Sequence, residues 1–370
     1  MRLLRGRSGW WYVGRTGTAL VPDGLVRGGG LTADGARLVS AAGLDAAPDP
    51  DHYSLTVVTD TRCNLACPYC FQNEPTGARA IAAARLTDEV IASIVGFTLP
   101  RMAAAGATRL ELLLFGGEPL VNAPGCLAVL RAFGERVPTA GSMVSNGVLL
   151  TARRAQALAA AGLREVQVTL DGPREQHDRV RATRGGRSTF DRVLANTAAA
   201  QRATDLRFTV RVNSTPANLP ALPDLLDHVA RVLDPARTRL ALAPVLDYGA
   251  GTDPLTDRDA ELALRGYAAA AAHGFRLVRP RDAHCDFCST THGRRGAVVN
   301  ADGTLFSCWD AVGDPDLAVG TVRDGYHPDP GERWRRCAGG GPATGAFADA
   351  VDAGLLDLIR AGAREGVTSR

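Results

Sequence analysis

Three closely spaced cysteines lie at the start of the longest α/β pattern in the chain. They form the motif Cys63-Asn64-Leu65-Ala66-Cys67-Pro68-Tyr69-Cys70, with spacings of three and two residues. Three thiolates on one loop can hold three irons of a [4Fe–4S] cluster and leave the fourth iron open to a small ligand. The alternative is zinc, which needs a fourth Cys or His nearby, whereas the next cysteine is Cys126 on a predicted helix.

A second group of cysteines lies in the last third of the chain. It comprises Cys285, Cys288, Cys308 and Cys337. Four thiolates can ligate one further [4Fe–4S] cluster completely, and they can equally form a structural zinc site. Cys126 fits neither group, so we predict that it is a buried core residue.

The elements that must position the first motif alternate between strands and helices. Bounded apolar runs predict six strands, at Ser54–Thr59, Leu110–Phe115, Gly141–Ser145, Val166–Leu170, Leu206–Val212 and Leu240–Pro244. Helical patterns lie between them, at Thr87–Ala105, Ala123–Arg136, Ala152–Ala161, Thr189–Ala203, Leu219–Leu233 and Asp257–His273. Six successive β/α units predict a parallel sheet, with the cysteine motif directly after its first strand. Short strands (Trp10–Gly14 and Thr18–Val21) and helices (Ala33–Ala42 and Phe347–Arg364) are predicted near the two ends.

Composition excludes several classes of function. The 370 residues carry 42 basic and 39 acidic side chains, and this near balance does not indicate a nucleic-acid partner. All 42 basic residues are arginine, which rules out a Schiff-base lysine and a P-loop lysine. No apolar run approaches the roughly 18 residues of a membrane span, and no signal-peptide core is found. We therefore predict a cytoplasmic protein without a membrane partner, whose thiols stay reduced.

The cysteine motif resembles the signature of the radical S-adenosylmethionine (SAM) enzymes, and motifs on later strands extend the resemblance. These are Leu114-Phe115-Gly116-Gly117-Glu118-Pro119, Ser145-Asn146-Gly147, and the run Leu170-Asp171-Gly172-Pro173, His177-Asp178, Arg181, Gly186 and Phe190-Asp191. The resemblance implies an α/β fold, a partial (β/α)6 TIM barrel whose edge strands stay apart, and a SAM-binding [4Fe–4S] cluster on Cys63, Cys67 and Cys70.

Roles for further residues follow from the same resemblance. Gly116 and Gly117 would let the chain pass close to the ligand, and Glu118 would receive the methionyl ammonium of SAM. Arg181 would pair with the SAM carboxylate. The residues expected to bind SAM are Tyr69, Gly116, Gly117, Glu118, Pro119, Ser145, Asn146, Asp171 and Arg181.

The C-terminal cysteines resemble a shortened SPASM extension, called a twitch domain. Gly303, Cys308-Trp309 and Gly320-Thr321-Val322 match its start, but Cys337 alone stands where a full SPASM domain has a dense cysteine run. The resemblance implies one auxiliary [4Fe–4S] cluster. We predict an N-terminal appendage (1–50), a barrel (51–278), a twitch/SPASM-like domain (279–345) and a C-terminal helix (346–370).

The implied activity is reductive cleavage of SAM to a 5′-deoxyadenosyl radical, which abstracts hydrogen from a substrate. The motifs resemble maturases of ribosomally made precursor peptides, which form C–C or C–S crosslinks, epimerise or dehydrogenate, with flavodoxin or ferredoxin as electron donor. The N-terminal appendage would add strand pairing to a leader peptide. One alternative is a twitch-type dehydrogenase or epimerase of a sugar, aminocyclitol or other small metabolite, and another is a non-catalytic zinc-binding interaction protein. Candidate bases are Asp247, Tyr248, His284 and Asp310, and none is assigned as catalytic.

Overall fold

A computed structural model describes most of the chain. The described residues are 1–46, 51–70, 72, 81–246, 251–280, 292–328, 331–334 and 342–365. Three predicted auxiliary-cluster ligands, Cys285, Cys288 and Cys337, lie outside them, as do three candidate bases, Asp247, Tyr248 and His284. Within the described part, no helix is long and apolar enough to cross a membrane.

The N-terminal appendage is a small antiparallel sheet followed by a ribbon and a helix. Its elements are β1 (Arg2–Gly6), β2 (Gly9–Val13), β3 (Thr18–Val21), β4 (Val26–Arg27), β5 (Gly30–Leu31) and α1 (Ala33–Ala41). Thr32 caps α1, because its side chain accepts a hydrogen bond from the Gly35 amide. Strand β1 was not predicted, since the adjacent Leu3 and Leu4 break the alternation that marks a half-buried strand.

Six strands of the central sheet run parallel in chain order, as predicted. The strands are β6 (His52–Asp60), β7 (Arg109–Gly116), β8 (Thr139–Ser145), β9 (Leu163–Thr169), β10 (Arg207–Ser214) and β11 (Thr238–Pro244). The helices are α2 (Asp88–Ala104), α3 (Ala123–Gly134), α4 (Ala152–Ala160), α5 (Arg174–Val180), α6 (Phe190–Ala203), α7 (Leu222–Ala230) and α8 (Ala260–Ala272). The short α5 was not predicted, because its seven residues are mostly charged and carry no apolar periodicity.

Four further strands extend this sheet beyond β6. They are β12 (Gly296–Val299), β13 (Thr304–Phe306), β14 (Ala318–Thr321) and β15 (Gly325–Tyr326). Strand β12 pairs in parallel with β6, and the other three follow antiparallel. Strand β6 is therefore an inner strand of a ten-stranded sheet, which stays open because its edge strands β11 and β15 do not pair with each other. All four residues of β12 are buried, so adding this strand to β6 removes apolar surface from water.

The last helix, α9 (Pro342–Glu365), packs against the N-terminal appendage. Leu4 and Trp11 form a small apolar cluster with Leu356. Arg2 donates to Asp349 and Asp352 at 2.7 and 2.6 Å. Strands β1 and β2 thus pack against α9.

Alternation along the parallel strands separates the core from the site. Leu112 and Leu114 of β7 are fully buried, whereas Leu113 and Phe115 between them line a cavity. Successive strand side chains point to opposite faces, so one face of the sheet packs on the helices and the other surrounds the cavity. The functional residues lie on this second face or in the loops after the strands.

Candidate functional site

The three cysteines of the first motif lie on one loop directly after β6. None forms a disulfide. Burial raises the pKa of the Cys63 and Cys67 thiols. The Cys63 Sγ accepts hydrogen bonds from the Leu65 amide at 3.4 Å and from Asn146 Nδ2 at 3.7 Å. Reduced thiols with amide donors aimed at sulfur fit thiolate ligation of an iron–sulfur cluster, in which the metal keeps the sulfur deprotonated.

The described cysteines do not gather round a single point. Among the residues that the structure describes, no three His, Cys, Asp or Glu side chains come together closely enough to hold one metal ion.

Backbone hydrogen bonds fasten the cysteine loop to the segment after α5. The Ala66 amide donates to the Ala182 carbonyl at 3.2 Å, and the Arg184 amide donates to the Asn64 carbonyl at 3.3 Å. Arg184 Nε also donates to the Cys63 carbonyl at 2.9 Å. The motif that carries Arg181 therefore holds the cysteine loop in place as well.

Gly116 and Gly117 bring the loop after β7 against the base of the cysteine loop. The Gly117 amide donates to the Asp60 carbonyl at 3.0 Å. A Cβ on Gly116, whose φ is +147°, would lie 2.4 Å from the Asp60 carbonyl oxygen. A Cβ on Gly117 would lie 2.5 and 2.6 Å from the carbonyl oxygens of Thr61 and Arg62. Both glycines line the cavity, yet the missing side chains leave room for protein backbone rather than for a ligand.

Replacing Gly117 by alanine is expected to displace the cysteine loop. The new Cβ meets two carbonyl oxygens that cannot move without the chain that leads to Cys63. We expect a loss of stability of about 1–3 kcal/mol and a marked drop in iron bound after reconstitution. Iron analysis and urea unfolding of Gly117→Ala measure both effects. The control is Gly96→Ala on α2, where nothing lies within 4 Å of the new Cβ; equal iron binding by the two variants would contradict this packing role.

Glu118 is held by the chain itself and does not line the cavity. It is fully buried, and burial raises its pKa. One carboxylate oxygen accepts from Ser145 Oγ at 2.9 Å and from the Leu120 amide at 3.0 Å, and the other accepts from the Asn146 amide at 2.7 Å. Pro119 is buried beside it. Glu118 therefore positions Ser145 and Asn146, and its contact with the SAM ammonium stays a prediction.

Tyr69, Asp171 and Arg181 meet in a buried cluster at one end of the cavity. Tyr69 donates its hydroxyl proton to Asp171 Oδ2, and Arg181 Nη1 donates to the same hydroxyl and to Asp171 at 3.4 Å. The Asn213 amide donates to Asp171 Oδ1 at 2.8 Å, and Asn213 Nδ2 donates to the Tyr69 hydroxyl at 3.1 Å. Asn213 was missed from the sequence, although it lies near the C-terminal end of β10, where neighbouring strands carry their site residues.

Arg181 retains an unused donor in this cluster. Its side chain is 8% exposed, and Nε is buried without a hydrogen-bond partner in the described structure. Although burial opposes the charge, Tyr69 and Asp171 raise the pKa of Arg181 above its ordinary value. A buried, permanently charged guanidinium with a spare N–H fits a carboxylate ligand such as that of SAM.

His177 supports the same cluster through hydrogen bonds to its backbone and to Thr189. Its Nδ1 accepts from the Asp171 amide at 3.3 Å, so the proton lies on Nε2, which contacts Thr189 Oγ1 at 3.0 Å. Thr189 in turn donates to the Arg181 carbonyl at 2.7 Å. Burial and the nearby Arg181 lower the pKa of His177 to about 4. The neutral imidazole thus connects the end of β9 to the backbone that carries Arg181.

Acidification is expected to destabilise the protein through His177. The folded-state pKa lies below the ordinary value, so this contribution to stability is complete above pH 6.5 and is lost as the pH falls towards 4. The shift corresponds to about 3 kcal/mol. Urea unfolding of the metal-free protein is measured between about pH 7.5 and 4.5, a range that includes most of the interval between the two pKa values. His177→Asn is the comparison. If both proteins lose stability in parallel, His177 is not the titrating group.

A cavity of about 540 Å³ opens beside the cluster. Its lining includes Tyr69, Cys70 and Arg181, and Trp309 and Asp310 contribute from the short 3-10 turn after β13. Other lining side chains come from β7 to β11 and include Phe115, Gln167, Thr169, Thr209, Arg211 and Asn213. Trp309 stacks on Phe115 with ring centroids 6.3 Å apart, and its Nε1 donates to Thr56 at 3.0 Å. Cys308 therefore directly precedes a wall of the cavity.

A parallel sheet, a cysteine loop after its first strand and a cavity beside that loop define an α/β enzyme of the radical SAM class. The family model of the radical SAM superfamily matches residues 57–213. The chain is 30% identical over 283 residues to the PqqA peptide cyclase of Ruegeria pomeroyi, which covers 71% of this chain and 69% of that protein. The chain belongs to the radical SAM superfamily, whose members use a [4Fe–4S] cluster and SAM.

Two other similarities are lower either in coverage or in sequence identity. The GTP 3′,8-cyclase of Xanthomonas campestris pv. campestris (strain B100) is 35% identical over 169 residues, or 43% of this chain. The match spans about half of that relative, 47% of its length. Among solved structures, native anSMEcpe with bound AdoMet has a TM-score of 0.57 at 18% identity, covering 75% of this chain and 81% of that one. This last likeness concerns the fold alone.

Proposed function

We propose that this radical SAM enzyme modifies a ribosomally made peptide by abstracting hydrogen from it. The observation that carries the proposal is the 30% identity to a peptide cyclase over two thirds of both chains. That match reaches well beyond the part of the chain covered by the family model. The LDGP and HD motifs before Arg181, which resemble those of peptide maturases, support the same substrate class.

The proposed cofactor sites use the residues already described. Cys63, Cys67 and Cys70 would hold the [4Fe–4S] cluster, and Arg181 would hold the carboxylate of SAM. When bound, this pair supplies the 5′-deoxyadenosyl radical that abstracts hydrogen. Tyr69, Asp171 and Asn213 keep Arg181 oriented, while Glu118 and Asn146 support the cysteine loop.

We further propose one auxiliary [4Fe–4S] cluster on Cys285, Cys288, Cys308 and Cys337. The support is the position of Cys308, which is half-buried and immediately precedes the two cavity-lining residues Trp309 and Asp310. A cluster ligated there would lie beside the substrate. Asp310 is the candidate base that lines the cavity, and a flavodoxin or ferredoxin would supply electrons.

The N-terminal appendage is the proposed contact for a leader peptide. Within the described residues, β3 pairs only with β2 and leaves its other edge available for an added strand. Backbone pairing along such an edge is a common mode of peptide capture. The contact between this sheet and α9 would transmit the position of the leader to the rest of the molecule.

The second candidate is a radical SAM enzyme acting on a small molecule. It is favoured by the 35% identity to a GTP 3′,8-cyclase, although that match covers less than half of the chain. A cavity of about 540 Å³ is large enough for a metabolite of ordinary size.

Coexpression with a short precursor peptide encoded beside this chain tests the proposal. Mass spectrometry should show a modified peptide, either with hydrogen lost to a new bond or with deuterium gained from solvent after epimerisation. The control is the enzyme with Cys67→Ala. An unmodified peptide, together with SAM cleavage stimulated by GTP or a sugar, would favour the second candidate instead.

A further inference from the structure

A second arginine faces the cavity, deeper than Arg181. Arg211 lies on β10 two residues before Asn213, which places it about 6–7 Å further from the end of the strand. Its neighbours in register are Thr169 on β9 and Ala241 on β11. Arg211 therefore lies one layer of side chains below the cluster that contains Tyr69 and Arg181.

The charge of Arg211 is not neutralised by an ion pair in the described structure. Its Nε donates to Asn213 Oδ1 at 2.8 Å, which is a neutral acceptor. Arg181, by contrast, contacts Asp171 directly. Burial lowers the pKa of Arg211, so the fold pays a desolvation cost to keep this cation in the cavity wall.

The other ionisable groups that line the cavity do not offset this cation through a direct contact. Glu165 pairs with Arg207 at 2.8 Å and lies 3.7 Å from Arg239. Asp310 enters from the 3-10 turn after β13 and makes no ion pair in the described structure. The remaining lining side chains near Arg211, namely Gln167, Thr169 and Thr209, are polar and uncharged. This part of the cavity is therefore suited to an anionic group with hydrogen-bond acceptors.

We propose that Arg211 binds a carboxylate of the substrate and so selects an acidic residue, or the C-terminus, of the peptide for the reactive position. This inference rests on the proposed function, from which it takes the peptide as the substrate class. A guanidinium can donate two parallel hydrogen bonds to a carboxylate, which fixes both position and orientation. SAM itself carries a carboxylate, so the test must separate these two sources.

The test uses reconstituted holoenzyme with SAM and two capped probes, N-acetylglutamate amide and N-acetylglutamine amide. Ligand-observed NMR titration measures their affinities, and equilibrium dialysis measures that of SAM. The wild-type protein should prefer the glutamate probe by about tenfold, the value of one charge-assisted hydrogen-bonded pair. Arg211→Gln should remove the preference and leave SAM affinity within about twofold, and Arg211→Lys should retain part of it. The exposed Arg164→Gln on neighbouring β9 serves as the matched control and should behave as wild type.

Three results would overturn the proposal. These are equal binding of both probes by the wild-type protein, an unchanged preference in Arg211→Gln, and a fall of about tenfold in SAM affinity in that variant. The last result would assign Arg211 to the binding of SAM, either directly or through its hydrogen bond to Asn213. A preference for glutamate without any peptide modification on coexpression would leave the role of Arg211 intact and remove the proposed function. A modified peptide without a preference for the glutamate probe would keep the proposed function and remove the role of Arg211.

Discussion

Replacing Cys63, Cys67 or Cys70 by alanine should reduce formation of 5′-deoxyadenosine to the level seen without enzyme. Each variant removes one of three proposed thiolate ligands from a loop that has no other described cysteine within it. The clearest result is expected for Cys67, because this residue is only 7% exposed and lies between the other two cysteines in the sequence. Deoxyadenosine released under dithionite reduction is measured by liquid chromatography.

Cys126→Ala is the matched control for these variants. Cys126 is fully buried and donates to the Pro119 carbonyl at 3.2 Å, as predicted for a core residue. Its loss should cost roughly 1 kcal/mol of stability and leave SAM cleavage in place. Normal turnover by any of the three loop variants would refute the cluster assignment.

Arg181→Met should weaken SAM binding strongly and destabilise the protein. The substitution leaves Asp171, which is 2% exposed, without its charged partner. Removing one member of a buried ion pair typically costs about 3–5 kcal/mol. It also removes the unused Nε donor that fits the SAM carboxylate.

Two comparisons separate binding from folding at this position. Arg181→Lys keeps a charge near Asp171 but lacks the planar donor set, so it should recover stability more fully than SAM affinity. The exposed Arg187→Met should change neither property. If Arg181→Met folds normally and binds SAM as tightly as the wild-type protein, Arg181 has no role in the site.

Local sequence patterns were sufficient for the six parallel strands, for most of the helices between them and for the residues with distinctive chemistry. The strand alternation around Leu112 and Leu114 and the three-two spacing of the cysteines are properties of short segments. The cluster on Arg181 was predicted only in part. Its arginine was identified by resemblance, whereas Asn213 and the link from His177 through Thr189 depend on how three separate segments meet.

The remaining differences come from contacts between distant segments. The three hydrogen bonds that Glu118 accepts depend on how the loops after β7 and β8 meet. The pairing of β12 with β6 joins segments more than 200 residues apart, and no local pattern encodes the partner of a short apolar strand. The hydrogen bond from Trp11 to Asp357 could not be predicted from the sequence for the same reason.

The most direct test of this account is anaerobic reconstitution of the wild-type protein with iron and sulfide, followed by reduction in the presence of SAM. Cluster ligation by Cys63, Cys67 and Cys70 should give a [4Fe–4S] signal by electron paramagnetic resonance that changes on adding SAM, together with release of 5′-deoxyadenosine. Stoichiometric zinc in place of iron, or a cluster whose spectrum ignores SAM and yields no deoxyadenosine, would contradict it.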